Sequence, residues 1–315
     1  MKIMIVGAGA TGGFFGAQLA RAGRDVTFLV REGRAAALRE RGLRVVRPDG
    51  AEIISVQPQV VTAAEPAAGP PDHAGTVLLT VKAAGLGPAI DEVRPAVGPE
   101  TTIVPVLNGL RHLDILNAAF GPERVLGGVA VLATQLDGQG DIVVLNEAAS
   151  LTIGAQDGPR TAAVEKTEKL LGGAGFPVEV SDHILAAMWA KWVFIAAVGA
   201  ATGLLGGTAG EIAAAGGTQV ARDIVAEAYQ IAAAAGYPVP DAEAERTATL
   251  VTQPGSPFAS SLYRDLRQGR PVEVDTILGD LVDRGQAHGV VTPLLAAAVT
   301  ALRIHNNRLA GPAAS

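Results

Sequence analysis

The sequence predicts an α/β chain in two parts, a half built of alternating strands and helices around a parallel sheet, then an all-helical half. Three observations carry this reading. Short apolar strands alternate with helical segments up to about residue 181, the pattern of βαβ units. From residue 184 onward the apolar positions recur with helical periodicity and no strand pattern returns. A glycine-rich hexamer follows the first strand directly and opens a helix. With 315 residues, 49% of them hydrophobic, the chain can bury two moderate cores, so two domains are expected, 1–181 and 182–315.

The elements follow in order. Strands are expected at Lys2–Val6, Asp25–Val30, Thr76–Val81 and Thr102–Leu107, with a strand-and-loop excursion over Ser55–Gly75, which is rich in Pro, Ala and Val. Val125–Val131, Ile142–Leu145 and Leu151–Ile153 read as further strands, Thr161–Leu171 as a helix, and Val178–Val180 as a last short strand. The helical half carries apolar runs at 184–204, 212–235, 242–252, 274–289 and 292–304. Pro- and Gly-rich breaks at Tyr237–Pro240 and Pro254–Pro257 mark loops, Ser260 and Ser261 read as loop residues, and the tail from Ala310 is expected to be disordered.

Composition excludes several classes. A formal charge of −6 leaves no basic stripe able to neutralise a run of phosphates, so nucleic acid is not an expected partner. The absence of cysteine removes disulfides, thiolate metal sites and a cysteine nucleophile, and suits a cytoplasmic location. No metal site is expected. The apolar run before the first glycine is too short for a signal peptide. Residues 184–207 have a bilayer's length, but Lys191 interrupts them and a core helix shows the same composition, so no membrane partner is expected.

Gly7, Ala8, Gly9, Ala10, Thr11 and Gly12 form a G-x-G-x-x-G between strand and helix, the context in which this motif predicts dinucleotide binding in a Rossmann-like domain. The first glycine allows the tight turn, the second lets a pyrophosphate approach the backbone, and the third lets helix and strand pack while the helix amides face the phosphates. An NAD-specific second strand usually ends in an acid that accepts from the ribose hydroxyls. Here it ends Leu29-Val30-Arg31, which favours NADP (NADPH), with Arg34 as a second contact and Glu32 as the opposing sign.

Ligands in open parallel sheets lie beyond the carboxyl ends of the strands. Two polar residues stand there, Lys82 after the third strand of the set and Asn108 after the fourth; by position alone Lys82 is equally a solvated helix-start lysine, and Asn108 equally a turn-former ahead of Gly109. Lys191 is one of only five lysines and has Ala187, Met188, Phe194 and Ile195 one turn away. Burial would lower its pKa toward the range useful for proton donation, although a snorkelling lysine has the same spacing. Glu273 opens the run at 274–289, at the edge of an apolar face, where an ordinary N-terminal acid is also expected.

Taken in order, the glycine loop, Leu79-Thr80-Val81-Lys82, Asn108-Gly109, Lys191, Ser260-Ser261-Leu262-Tyr263-Arg264-Asp265 and Val272-Glu273-Val274-Asp275 resemble the ketopantoate reductase (2-dehydropantoate 2-reductase) family from Met1 to about Leu294. The resemblance implies NADPH-dependent reduction of 2-dehydropantoate to pantoate, as in pantothenate biosynthesis, with Lys191 as general acid. It implies that Lys82 and Asn108 hold cofactor and substrate, that Ser261 binds the substrate carboxylate, that Glu273 contacts the cofactor, and that Ala133 lies along the nicotinamide. A small-molecule 2-oxo acid is the implied partner, and a homodimer is left open.

The chain departs from the family where asparagines line the substrate side, for Ile195, Gly199, Ala209 and Phe258 stand there and no asparagine occurs between Glu147 and His305. Thr202, Gly210 and Glu211 keep the pattern. Sites that read hydroxyls discriminate strongly, so the loss bears on the substrate more than on the chemistry. A same-scaffold reductase of a less polar 2-oxo acid and a non-catalytic NADP-binding sensor therefore stay open. A β-hydroxyacid dehydrogenase is disfavoured because no glycine-flanked helix leads to Lys191.

Overall fold

The computed structural model describes residues 1–65 and 73–311. The expected excursion is seen only in part, since 66–72 lie outside the described residues, as does the end of the tail, 312–315. The chain divides into two compact units, Met1–Leu107 with His112–Ile184, and Asn108–Arg111 with Leu185–Ser315. The expected break at Ser181 lies just short of Ile184, and the short segment beginning at Asn108 groups with the second unit.

The first unit holds the strands β1 (Ile3–Val6), β2 (Val26–Leu29), β3 (Leu43–Val46), β4 (Glu52–Val56), β5 (Gln59–Val61), β6 (Thr76–Leu79), β7 (Thr102–Pro105), β8 (Gly127–Leu136), β9 (Ile142–Gly154) and β10 (Val178–Val180). Its helices are α1 (Ala10–Arg21), α2 (Glu32–Arg41), α3 (Leu86–Val93), α4 (Arg111–Phe120) and α5 (Ala162–Leu171). One sheet runs β5-β2-β1-β6-β7 and all its pairings are parallel, the Rossmann-like order. Its central strands are short and mostly apolar, as a parallel sheet covered by helices requires; Ile3, Ile5, Phe28, Val77, Leu78 and Val104 have no exposed surface. A second sheet runs β10-β9-β3-β4, with β8 paired to β9.

Two expectations need correction in this unit. β3 and the start of β4 lie before the expected excursion, in a stretch read without strands; they pair antiparallel through Leu43↔Val56 and Val45↔Ile54. Ile142–Leu145 and Leu151–Ile153 are one strand, β9, because the polar segment between them is absorbed as a bulge. The register passes from Ala133↔Asn146 to Leu132↔Ala149, and the Ala148 amide donates to Asn146 Oδ1 at 2.9 Å. Ala133 sits at that irregularity.

The second unit contains α6 (Ile184–Leu205), α7 (Ala209–Ala214), α8 (Thr218–Ala234), α9 (Asp241–Val251), α10 (Ser261–Arg267), α11 (Asp280–Ala287) and α12 (Pro293–Ala310). The expected run 212–235 is two helices, α7 and α8, because Gly216 takes φ +77° between them. Thr208 closes a capping box with Glu211 at the start of α7. Ser260 and Ser261 are not loop residues. Ser260 caps α10 and Ser261 is its first residue. The run at 274–289 is not uniformly α-helical either, since Asp275–Gly279 forms a π-helical turn before α11. Helix α6 is long and apolar enough to cross a membrane, but Met188, Trp189, Trp192 and Val193 are buried, as a core helix requires.

Candidate functional site

In the first unit the glycine loop is shaped by backbone geometry. Gly7 takes φ +96°, a conformation that a side chain strains. A Cβ on Gly12 would lie 2.1 Å from Thr80 Oγ1 and 2.3 Å from the Gly7 carbonyl oxygen, so only glycine lets α1 approach β1 and the residue after β6 this closely. Gly9 is exposed, and the space its Cβ would take is open. The Thr80 hydroxyl lies 2.9 Å from the carbonyl oxygens of both Val6 and Gly7 and donates toward them, fixing the turn. Nothing in composition or spacing pointed to this role for Thr80, although the residue stands inside a quoted motif.

A cleft of about 530 Å³ opens beside this loop, walled by Gly7, Ala8 and Gly9 on one side and by Arg31, Arg34 and Lys82 on others. Arg34 bridges two backbones: its Nε donates to the Ala8 carbonyl at 3.0 Å and its Nη1 to the Gly140 carbonyl, in the β8–β9 turn, at 3.0 Å. Its Nη2 is buried without a partner. Burial lowers the Arg34 pKa, and Asp141 opposes that shift. Arg31 stands exposed at the N-cap of α2 and makes no ion pair within the described residues; its Nη2 lies 3.6 Å from where a Gly85 Cβ would be. Lys82 is exposed and caps the short helical turn Ala83–Gly85. Open backbone amides, an orphaned guanidinium nitrogen and an unpaired arginine are a donor set for a phosphate-bearing anion. Of the predicted loop residues, Ala10, Thr11 and Gly12 form the start of α1 and do not wall the cleft. Ala133 is half-buried on β8 and does not wall it either.

In the second unit Lys191 lies midway along α6. It is half-buried, and among the described residues it makes no hydrogen bond or ion pair. Desolvation lowers its pKa from 10.5 to about 8, because nothing polar replaces the water it loses. Its neighbour Trp192 is buried and fixed: the indole Nε1 donates to the Ile277 carbonyl at 2.9 Å, and the Arg284 guanidinium lies 5.6 Å from the ring centroid. Ile277 belongs to the π-helical turn, a geometry common at functional sites because the widened turn leaves backbone groups without their usual helical partner.

Asn108 reaches the same neighbourhood through Gly109. Gly109 takes φ +80°, and a Cβ there would lie 2.6 Å from the Thr276 carbonyl oxygen and 3.8 Å from Trp192 Nε1. Backbone adjacency thus brings the segments that carry Asn108, Lys191 and Glu273 to one junction of α6, the Asn108–Gly109 turn and the π-helical turn. Ser261 belongs to α10, whose cap Ser260 hydrogen-bonds Thr202 of α6 at 2.7 Å. The Ser261 hydroxyl is exposed and has no partner among the described residues.

A parallel sheet with this glycine loop, followed by a helical half with a desolvated lysine, defines a nicotinamide-dinucleotide oxidoreductase. Family models described as ketopantoate reductase PanE/ApbA and as its C-terminal part match residues 3–158 and 183–306. The chain belongs to the ketopantoate reductase family. An uncharacterized oxidoreductase of Bacillus subtilis is 33% identical over 94% of this chain and 95% of its own. A 2-dehydropantoate 2-reductase of Mesorhizobium japonicum is 30% identical over 96% and 97%. Among solved structures, a D-mandelate dehydrogenase with NADH and anilino(oxo)acetate superposes with a TM-score of 0.86, covering 98% of this chain and all of its own; at 23% identity this is a likeness of fold.

Proposed function

We propose that this chain uses NADPH to reduce a 2-oxo acid to the corresponding 2-hydroxy acid, the reaction class for which its 2-dehydropantoate 2-reductase relatives are named. One observation carries the reading: an amine desolvated to a pKa of about 8, without a partner among the described residues, stands on the helix whose Trp192 meets both the Asn108–Gly109 turn and the π-helical turn that follows Glu273. A structural lysine would have been given a carboxylate, because a buried unpaired ammonium is costly. A proton donor needs its tunable pKa instead.

In this reading Gly7, Ala8 and Gly9 receive the cofactor pyrophosphate, Arg31 with Arg34 receives the ribose phosphate that distinguishes NADPH from NADH, and Lys82, Ala133 and Glu273 are the further cofactor contacts that the family resemblance implies. When bound, the reduced nicotinamide supplies a hydride to the carbonyl carbon. As that C–H bond forms, the carbonyl π electrons collect on oxygen, and Lys191 Nζ releases a proton to it and later regains one from water. Asn108 orients the carbonyl by donating its amide N–H, and the Ser261 hydroxyl donates to the carboxylate. The unassigned proton donor of a sensor would serve no purpose, so catalysis is the favoured reading over a binding-only role.

The test is NADPH consumption against a panel of 2-oxo acids, with NADH in parallel. Turnover with at least one acid is expected, and none with any acid would remove the proposal. Arg31→Asp is expected to narrow the NADPH over NADH preference by about tenfold or more, since it replaces a charge-assisted partner by a repulsive one. An unaltered ratio would show that the ribose phosphate is held elsewhere.

A further inference from the structure

The face of α6 that carries Lys191 continues through Ile195, Gly199 and Thr202, at intervals of four, four and three residues. What covers that face decides what part of a substrate could lie along it. Thr202 Oγ1 donates to the Val198 carbonyl at 2.7 Å and lies 2.7 Å from Ser260 Oγ, so it accepts from Ser260. Ser260 Oγ in turn accepts from the Tyr263 amide at 2.9 Å. Both hydroxyls are buried and their protons are committed within the protein. Gly199 offers no side chain, and the position of its absent Cβ is closed by Leu262, with Cδ2 3.2 Å away. Ile195 remains half-buried one turn from Lys191, and Phe258, also half-buried, uses its backbone carbonyl to accept from the Ala209 amide at 2.9 Å. Gly199 and Thr202 are thus closed off by α10, and what this face leaves uncovered next to the Lys191 amine is the hydrocarbon of Ile195.

We propose that the substrate is a 2-oxo acid whose side chain is hydrocarbon, without a hydroxyl, and that Ile195, one turn from Lys191, selects it. The inference rests on the reading of Lys191 as the reacting end of the site and goes beyond it. A carbonyl and a carboxylate find donors in Lys191, Asn108 and Ser261. A hydroxyl farther out would lose its water against Ile195 and gain no partner, since the Thr202 and Ser260 hydroxyls are already committed. A pocket built to bind that hydroxyl rejects the analogue lacking it by about 10⁴, whereas an apolar pocket disfavours the hydroxyl by at most about 100-fold. The two designs thus predict opposite rankings for one isosteric pair.

The pair is 2-dehydropantoate and the acid in which a methyl group replaces its hydroxyl. Steady-state kcat/KM with NADPH is expected to be about 10- to 100-fold higher for the methyl acid, and Ile195→Asn is expected to narrow that ratio by about tenfold. Equal or faster reduction of 2-dehydropantoate would overturn the inference. Calorimetric titration of both acids into the NADP⁺-loaded protein supplies a readout independent of turnover. Tighter binding of the methyl acid without NADPH consumption would sustain the side-chain inference while removing the catalytic reading. Tighter binding of 2-dehydropantoate, or no binding of either acid, would sink the inference.

Discussion

The glycine-loop cleft of the first unit and the lysine junction of the second are built on opposite plans. Around the loop the backbone carbonyls are accounted for: Val6 and Gly7 face the Thr80 hydroxyl, and Ala8 accepts from Arg34. The remaining capacity there is a surplus of donors, the Arg34 Nη2 and the Arg31 guanidinium. Lys191 makes no hydrogen bond or ion pair among the described residues and stands in an apolar stretch of helix beside a tryptophan whose one polar atom is used on Ile277. A rigid, donor-rich site suits a multiply charged ligand that must be bound without being altered. A dry site suits a group that must change its protonation state, because removing water moves the pKa whereas a fixed counter-charge would lock it.

The sharpest way to break that contrast is to remove the amine. Lys191→Ala is expected to lower kcat by about 10²- to 10⁴-fold while leaving NADPH affinity unchanged. Unchanged turnover would mean that the dry junction is only a packing feature. In the wild-type chain the donor must be protonated, so the rate should hold below pH about 8 and fall as pH rises through it. A profile flat to pH 10 would place the proton donor elsewhere. On the other side of the comparison, Gly12→Ala drives a methyl group into Thr80 and the Gly7 carbonyl. It is expected to weaken NADPH binding by about 100-fold, as strain of a few kcal/mol is spread through the loop. Near-native affinity would show that the loop tolerates a shift its packing argues against.

The same contrast explains what could be read from sequence. The glycine loop, the parallel strands and the place of Arg31 at the edge of the cleft were legible because each depends on local backbone geometry or on a residue at a fixed offset from a strand. Lys191 was legible as an oddity, one of few lysines in an apolar run, but its lack of a partner is a fact of tertiary packing. Thr80 and Arg34 act across 73 and 26 residues of chain, and no local pattern announces a hydroxyl reaching back to Gly7 or a guanidinium reaching Ala8. The π-helical turn was hidden because Val274, Ile277, Leu278, Leu281 and Val282 keep an ordinary helical apolar spacing through it. β9 was split because Asn146 and its neighbours look like a turn, and only the pairing with β8 turns them into a bulge.

Stability sharpens the contrast further. A lysine whose pKa falls on folding holds fewer protons in the folded than in the unfolded chain between pH about 8 and 10.5, so stability rises with pH across that window. Below pH about 8 the cost of the buried ammonium is fully present. Lys191→Met should therefore raise the unfolding free energy at pH 7, by the order of 1–3 kcal/mol after allowing for partial exposure, and the gain should shrink toward pH 10.5. A variant that is both inactive and more stable would mark the lysine as retained for chemistry. A less stable one would assign it a packing role.

The smallest effect separates two adjacent serines. Ser260 caps α10 and ties it to Thr202, whereas the Ser261 hydroxyl has no partner among the described residues. Ser260→Ala should lower stability by about 0.5–2 kcal/mol, the usual worth of a cap, with a modest rise in KM as α10 loosens. Ser261→Ala should leave the melting temperature in place and raise KM for the 2-oxo acid by about tenfold, the loss of one hydrogen bond to a charged group, with NADPH affinity unchanged. Thermal melts and steady-state kinetics on both variants check this directly. If Ser261→Ala changes neither KM nor kcat, the carboxylate is held by something other than α10, and the second site consists of the lysine junction alone.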